Sequence, residues 1–433
     1  MKCFSAWTHV FANSDNTIGP CCSPIDISGD KNAAPFDPFQ SDVAKRLRES
    51  LISGDKSRMN SNCVSCPHLL KYDQHSNIFD SSFPLSNPSA RSLAGLDAFY
   101  ANFFLLRDCY EAGQVPPASA KPICANVQLG ELCNLQCIMC PQDHASKQKV
   151  SRQRIEYIKS IIPYLHTLRL TGGEPMVFGE FLDIVEHFNQ HAHPEAWFKV
   201  LTNGKLLDEK RIFRNLAEVK NVDIGLNIDA ATKNTYEHIR RGGRWEKLMS
   251  NIDYFIQYAK DHKKNWKISL TATVMKSNIG EMADLVKLAA KLDVGFACGA
   301  IYGDSLPAKN ARAYFEENIF RFSHLGYSRQ RIDELLSEAV DACSLLSEQH
   351  LDSALGTLRG TIDYAHQVSR IDIPQYQLNR LRSLDDYRLS QEIGEYANEL
   401  KNPFKERVKH MLGLMGVHQK FAATQKSDSN IPH

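Results

Sequence analysis

The sequence predicts an α/β protein built around a partial (β/α)6 TIM-like barrel. Two observations predict it. Strand-like apolar segments alternate with segments of helical periodicity between residues 120 and 305. Polar or glycine-containing loops also follow successive strands directly, as at the catalytic end of such barrels. The six predicted strands are 123–129, 165–171, 198–202, 222–229, 268–275 and 294–301, with helices expected at 152–164, 181–190, 245–259 and 280–292.

The composition is that of an ordinary soluble enzyme of two to three domains. The 433 residues are 43% hydrophobic and 23% charged, which excludes collagen-like, disordered and coiled-coil proteins. Lysine and arginine number 51 against 50 acidic residues, so the net charge of +1 supplies no large field for nucleic acid or an anionic membrane. We therefore expect neither as a partner.

The cysteines are the most informative residues. No apolar run is long enough to span a bilayer and the first residues lack the pattern of a secretory signal, so we expect a cytoplasmic protein. In a reducing compartment, clustered cysteines more often bind metal or do redox chemistry than form disulfides. The chain has 12 cysteines, of which Cys109, Cys124, Cys298 and Cys343 are scattered and are expected to be packing residues.

A CxxxCxxC motif follows the first predicted strand. Cys133, Cys137 and Cys140 would occur at this spacing by chance about 0.01 times in a chain of this composition. A zinc site normally uses four ligands, whereas three thiolates on a 4Fe-4S cluster leave one iron free to bind a substrate or cofactor. An iron-sulfur cluster is therefore favoured over zinc.

The loops after the next strands carry candidate ligand-binding groups. Gly172, Gly173 and Glu174 follow the second strand, where the glycines permit close backbone approach and the glutamate offers a carboxylate. Asn203 follows the third strand, and the fourth ends in 227–229, which contributes Asn227 and Asp229.

These motifs resemble the radical S-adenosylmethionine superfamily, and more closely its branch with SPASM or twitch auxiliary-cluster domains. The resemblance rests on CNLQCIMC at 133–140, GGEP at 172–175, and the stretches at 228–252 and 273–282, and covers residues 120–300. Met139 stands where many members have an aromatic residue.

The resemblance implies a site residue by residue. A 4Fe-4S cluster on the three cysteines of CNLQCIMC would bind S-adenosylmethionine through its open iron. Gly172, Gly173 and Glu174 would hold the methionyl amino group, and Arg240 would pair with its carboxylate. Asn227 stands where many members bind the ribose, and Val274 would lie along the adenine.

A second group of cysteines lies near the N-terminus. A hairpin turning at Asp15-Asn16 would bring Cys3 close to Cys21, and Cys63 and Cys66 form a CxxC pair. Spacing alone leaves a cluster or a zinc site open. The pattern is similar to a twitch or shortened SPASM domain, which implies an auxiliary 4Fe-4S cluster, although that module commonly follows the barrel. Cys22 is not needed for this set of four ligands, and is either a packing residue or a substitute ligand.

The predicted organisation has four parts. Residues 1–78 form the cysteine-rich SPASM/twitch-like domain, 79–119 a Ser/Pro-rich linker and an aromatic helix, 120–305 the barrel, and 306–433 a helical C-terminal region with helices at 328–347 and 378–400 and a flexible tail.

The expected function is enzymatic, with no catalytic side chain identifiable from the sequence. The resemblance implies reductive cleavage of S-adenosylmethionine to a 5'-deoxyadenosyl radical, hydrogen abstraction from a peptide or protein, and an electron donor such as flavodoxin or ferredoxin. One alternative is a radical dehydrogenase, dehydratase or epimerase that acts on a sugar, an aminocyclitol or another small molecule. A zinc-binding interaction protein is the non-enzymatic alternative.

Overall fold

A computed structural model describes residues 3–21, 25–30, 36–64, 66, 97–142, 146–208, 210–301 and 310–400. These residues contain one eight-stranded sheet in the order β2-β1-β3-β4-β5-β6-β7-β8. Its strands are β1 His9–Ala12, β2 Ile18–Gly19, β3 Cys124–Gln128, β4 Thr167–Thr171, β5 Trp197–Thr202, β6 Asn221–Asn227, β7 Asn265–Val274 and β8 Gly295–Ala300. Strands β3 to β8 are parallel and adjacent in chain order, so all six strands of the predicted barrel are confirmed.

Fifteen helices accompany this sheet in the described part of the chain. They are α1 Phe4–Thr8, α2 Asp42–Ser53, α3 Ser61–Val64, α4 Ala98–Ala112, α5 Arg152–Ile161, α6 Gly179–His191, α7 Lys210–Glu218, α8 Lys233–Ile239, α9 Trp245–Asp261, α10 Met282–Leu292, α11 Ala311–Glu317, α12 Arg329–Ala342, α13 Glu348–Gln367, α14 Gln375–Ser383 and α15 Asp386–Leu400. Helices α5, α6, α9 and α10 lie where apolar periodicity predicts them. Helices α7 and α8 are too short for that periodicity to reveal, and were not predicted.

The core lies between the parallel strands and their helices. Side chains of β6 such as Ile224 and Leu226 are fully buried, as are Ile252 and Phe255 of α9, which lies between β6 and β7 in the chain. The parallel strands are apolar because helices cover the sheet. Their carboxyl ends remain at one rim, where the loops meet.

The N-terminal hairpin is confirmed, and it belongs to the same sheet as β3 to β8. Strand β1 pairs antiparallel with β2 and parallel with β3, so residues 9–19 extend the same sheet. Asn16 takes a φ of 66° in the turn, and its side-chain oxygen accepts a hydrogen bond from the backbone N–H of Ser151 at 2.7 Å. The turn is thereby attached to the start of α5.

The C-terminal region is helical up to residue 400, as predicted. The segment expected as one helix at 378–400 forms the end of α14 and all of α15, with a break at Leu384 and Asp385. Asp385 accepts a hydrogen bond from the N–H of Arg388 at 2.8 Å and so begins α15. In the described residues no helix is long and apolar enough to cross a membrane. Cys22, most of the predicted Ser/Pro-rich linker and the predicted tail from 401 lie outside the described residues.

Candidate active site

The loop that carries the CxxxCxxC motif begins where β3 ends, and the loop after β4 holds it on one side. The backbone N–H of Gly173 donates to the carbonyl of Gly130 at 2.8 Å, and the N–H of Glu174 donates to the carbonyl of Leu132 at 2.9 Å. A Cβ on Gly173 would stand 2.2 Å from the carbonyl oxygen of Leu132 and 2.3 Å from that of Glu131. Gly173 is therefore required for contact between two protein loops.

The segment after α8 holds the cysteine loop on its other side. Gln136 donates its N–H to the carbonyl of Arg241 at 2.9 Å, and Ile138 donates to that of Ile239 at 3.0 Å. These bonds place Arg240 beside the second cysteine. The long loop is therefore fixed by backbone contacts on both flanks.

Glu174 joins the loops after β4 and β5. Its carboxylate is buried and accepts hydrogen bonds from the backbone N–H of Met176 at 3.1 Å, the Thr202 hydroxyl at 2.8 Å and the backbone N–H of Asn203 at 2.8 Å. Burial raises the pKa of Glu174, and these hydrogen bonds oppose the increase. Glu174 does not line the cavity described below, so in this structure it positions Asn203.

Cys133 receives hydrogen bonds from two directions. The backbone N–H of Leu135 lies 3.4 Å from its sulfur, and the side-chain amide of Asn203 lies 3.8 Å from it while donating to Asn134 at 2.8 Å. Burial raises the pKa of Cys133 to about 11, and the Leu135 N–H opposes this. Hydrogen-bond donors directed at sulfur suit a thiolate ligand.

Arg240 and Asp229 form a buried ion pair against Cys137. One Nη of Arg240 lies 2.5 Å from Asp229 Oδ2, and the other lies 3.5 Å from Cys137 Sγ. Asp229 Oδ1 accepts the backbone N–H of Thr273 at 2.7 Å. Burial raises the pKa of Asp229, and Arg240 opposes it. Burial also disfavours charge on Arg240, but the neighbouring Asp229 and Cys137 outweigh it and raise its pKa.

Two other predicted cofactor-binding residues differ in their placement. Asn227 lines the cavity, and its side-chain oxygen accepts a hydrogen bond from the Thr271 hydroxyl. Val274 is fully buried and outside the cavity lining, where Ala272 and Thr273 of the same strand stand instead.

A cavity of about 390 Å³ opens at the carboxyl ends of β4 to β8. This volume is within the range of small-molecule sites. It is lined by the three cysteines, by strand-end residues and by one helix: Cys133, Cys137, Met139, Cys140, Pro141, Gln142, Gly172, Gly173, Asn203, Asn227, Arg240, Ala272, Thr273, Gly299, Ala300, Ile301 and Tyr314. Five of the eight predicted cofactor-binding residues are in this lining, and Glu174, Asp229 and Val274 are not.

Part of the cavity wall was missed by sequence reasoning. Residues 299–301 at the end of β8 and Tyr314 of α11 line it, and the Asn310 side chain, next to α11, hydrogen-bonds the carbonyl of Cys140. Burial raises the pKa of Tyr314 to about 12. The position of β8 among the strands could have indicated residues 299–301, whereas no sequence signal indicated Tyr314.

The four predicted N-terminal cysteines lie close enough for their thiols to interact electrostatically. Burial raises the pKa of Cys3 to about 12, with Cys21 and Cys63 contributing. Burial raises that of Cys63 to about 11, with Cys21 and Cys66 contributing.

Neither cysteine group is arranged for a single ion. Among the described residues, no three His, Cys, Asp or Glu side chains are placed to hold one metal ion. The cysteines of a 4Fe-4S cluster bind different irons, so their sulfurs are spaced more widely than the ligands of one ion. The donor set where these strands end, three thiols with an N–H group directed at each, fits such a cluster.

Residues 127–289 match the model of the Radical SAM superfamily, and the chain therefore carries a radical SAM domain. The chain is 25% identical over 173 residues to GTP 3',8-cyclase of Clostridium perfringens, covering 38% of this chain and 51% of that protein. It is also 25% identical over 173 residues to mycofactocin maturase MftC of Mycobacterium ulcerans, covering 39% of this chain and 44% of that protein. It thus spans about half the length of the curated relatives it matches.

Solved structures also match this chain, at low sequence identity. Streptococcus suis SuiB bound to precursor peptide SuiA matches with a TM-score of 0.42 and 13% identity, covering 75% of this chain and 74% of that one. Native anSMEcpe with bound AdoMet and the Kp18Cys peptide matches with a TM-score of 0.39 and 17% identity, covering 51% of this chain and 60% of that one.

Proposed function

We propose that this chain is a radical S-adenosylmethionine enzyme whose 4Fe-4S cluster is held by Cys133, Cys137 and Cys140. One observation carries the proposal: the three thiols line a single cavity together with Arg240 and the strand-end polar groups. A cluster on three cysteines keeps one iron open for a ligand. The radical SAM domain supports the same assignment.

The cavity offers groups that suit the two ends of S-adenosylmethionine. The Nε of Arg240 is buried and has no hydrogen-bond partner among the described residues, so it is available to a carboxylate. Asn227 at the end of β6 offers an amide to the ribose, and the carbonyls of residues 172–173 offer acceptors to the amino group. Glu174 would contribute indirectly, because its carboxylate fixes Asn203 and the loop after β4.

When bound, the cluster would supply the electron that breaks the carbon–sulfur bond between the methionine and the 5'-deoxyadenosyl group of S-adenosylmethionine, which would give methionine and a 5'-deoxyadenosyl radical. The chain's own residues orient the cofactor and exclude water. Met139, Ala272, Ala300 and Ile301 give the cavity apolar walls. The radical would then abstract a hydrogen atom from the substrate bound beside it.

We propose a peptide or protein as the substrate, with a small molecule as the alternative. The names of the two relatives do not decide between these substrate classes, because one relative is a maturase and the other is a cyclase of GTP. Incubation with peptides and with nucleotides or sugars, each monitored for S-adenosylmethionine consumption above the uncoupled rate, separates them. Acceleration by small molecules alone would reject the peptide proposal.

We further propose that Cys3, Cys21, Cys63 and Cys66 hold an auxiliary 4Fe-4S cluster. The proximity of their thiols supports this. Such a cluster could accept an electron from the substrate or anchor it, while a carrier such as flavodoxin or ferredoxin would reduce the cluster in the barrel.

The proposal is tested with the variant in which Cys133, Cys137 and Cys140 are all changed to alanine. It should lose about four irons and all 5'-deoxyadenosine formation under dithionite, because the cluster with the open iron is gone. The matched control changes the scattered cysteine Cys109 to alanine and should keep both its iron and its formation of 5'-deoxyadenosine. Persistent 5'-deoxyadenosine in the triple variant would reject the assignment, and a colourless parent protein that holds only zinc would favour the interaction protein.

A further inference from the structure

Arg240 makes a contact that binding of a carboxylate does not require. One of its Nη groups donates a hydrogen bond to Cys137 Sγ at 3.5 Å. A guanidinium has five N–H donors, and the contacts to Cys137 and Asp229 leave others for a ligand. The same side chain can therefore face a cofactor and one of the cluster's sulfurs.

The geometry of this contact is fixed by the fold. Arg240 is 8% exposed, and Asp229, which is 1% exposed, holds its other Nη at 2.5 Å. The backbone on either side of Arg240 bonds to the cysteine loop through Ile239 and Arg241. The guanidinium and the Cys137 sulfur are thus attached to the same rigid unit, so the contact does not depend on a mobile surface side chain.

Hydrogen bonds to the sulfurs of an iron-sulfur cluster and nearby charge shift its reduction potential. Adding an electron makes the cluster more negative, so a cationic donor stabilises the reduced state more than the oxidised state. The interaction is strong here because the site is buried and little water screens it. Removal of the donor should therefore make reduction less favourable.

We propose that Arg240 sets the reduction potential of the barrel cluster through its hydrogen bond to Cys137, in addition to any contact with the cofactor. This inference rests on the proposed cluster at Cys133, Cys137 and Cys140. Asp229 acts as the positioning residue, because it orients the guanidinium and lies outside the cavity lining. This hydrogen bond makes the first step of the reaction, the transfer of one electron to the cluster, more favourable.

The test compares Arg240→Gln, Arg240→Lys and a matched control, Arg241→Gln. The control removes the same charge one position away, from an exposed side chain. Each full-length protein is loaded with iron and sulfide and titrated with dithionite without S-adenosylmethionine. The midpoint is determined from the electron paramagnetic resonance signal that the Cys133, Cys137 and Cys140 triple variant lacks.

Arg240→Gln should lower the equilibrium constant for reduction about tenfold, which is about 59 mV for one electron. Arg240→Lys keeps the charge but loses the planar fork, so a smaller negative shift is expected. Arg241→Gln should leave the midpoint at the parent value. If Arg240→Gln cannot be loaded with iron and sulfide, the inference is judged by comparing the midpoint of Arg240→Lys with that of Arg241→Gln.

A midpoint in the Arg240 variants equal to that of Arg241→Gln would overturn the inference and leave the proposed function standing. Absence of the signal from the loaded parent protein would instead reject the cluster itself. The two failures are therefore distinguishable.

Discussion

The contact between Gly173 and the cysteine loop gives a prediction that does not depend on any cofactor. A Cβ at Gly173 would lie 2.2 Å from the Leu132 carbonyl oxygen, whereas real Cβ contacts below 3.0 Å are essentially absent. The loop must therefore retreat by about 1 Å in Gly173→Ala. That movement strains the two backbone hydrogen bonds from Gly173 and Glu174 to the cysteine loop.

The expected loss of stability follows from these two effects. Overpacking of a tightly packed position costs about 1–3 kcal/mol, and each weakened hydrogen bond adds about 1 kcal/mol. Gly173→Ala should therefore lower the free energy of unfolding by about 3–5 kcal/mol. It should also reduce iron loading at the barrel site, because the displaced loop carries all three cysteines.

Urea unfolding followed by circular dichroism measures the change, with iron content determined on the same samples. Gly179→Ala is the matched control, because a Cβ there meets nothing within 4 Å and alanine suits the start of α6. It should remain within about 1 kcal/mol of the parent. Equal stability of the two variants would refute the packing argument.

Three further predictions concern the cofactors and pH. Arg240→Ala should weaken S-adenosylmethionine binding by about 1.5–3 kcal/mol with unchanged iron, as measured by calorimetry, and parent-like affinity would contradict the carboxylate contact. Cys63→Ala with Cys66→Ala should lose about four irons and substrate turnover but keep uncoupled cleavage of S-adenosylmethionine, so full iron retention would show that these cysteines bind no cluster. Burial lowers the pKa of His166 to about 3 from an unfolded value near 6.5, so protonation favours the unfolded state and stability falls with pH below about 6.5. His166→Phe keeps an aromatic ring beside Phe99. When the pH is lowered from 6.5 to 5.5, its free energy of unfolding in urea should fall by about 1 kcal/mol less than that of the parent protein, and an equal fall would contradict this.

The sequence alone determined the parallel sheet and the cysteine loop. Apolar alternation identifies these strands because one face of each is buried while the other is only partly buried, as the alternating burial of β4 and β5 shows, and β3 to β8 lie where the pattern placed them. The CxxxCxxC spacing is local in the chain, so the motif can be recognised without knowledge of the tertiary structure. The hairpin at Asn16 was also predictable, because few residues other than glycine accept its positive φ.

Only the tertiary structure decided which groups face the cavity. Glu174 was expected to hold the cofactor, and only the folded chain shows that three donors from the loops after β4 and β5 also bond its carboxylate. Asp229 is paired with Arg240, and Tyr314 reaches the cavity from a helix beyond the barrel. A linear pattern specifies which residue ends a strand, whereas the direction of its side chain and its partners depend on contacts between segments far apart in the chain. Those contacts exist only after the sheet has assembled.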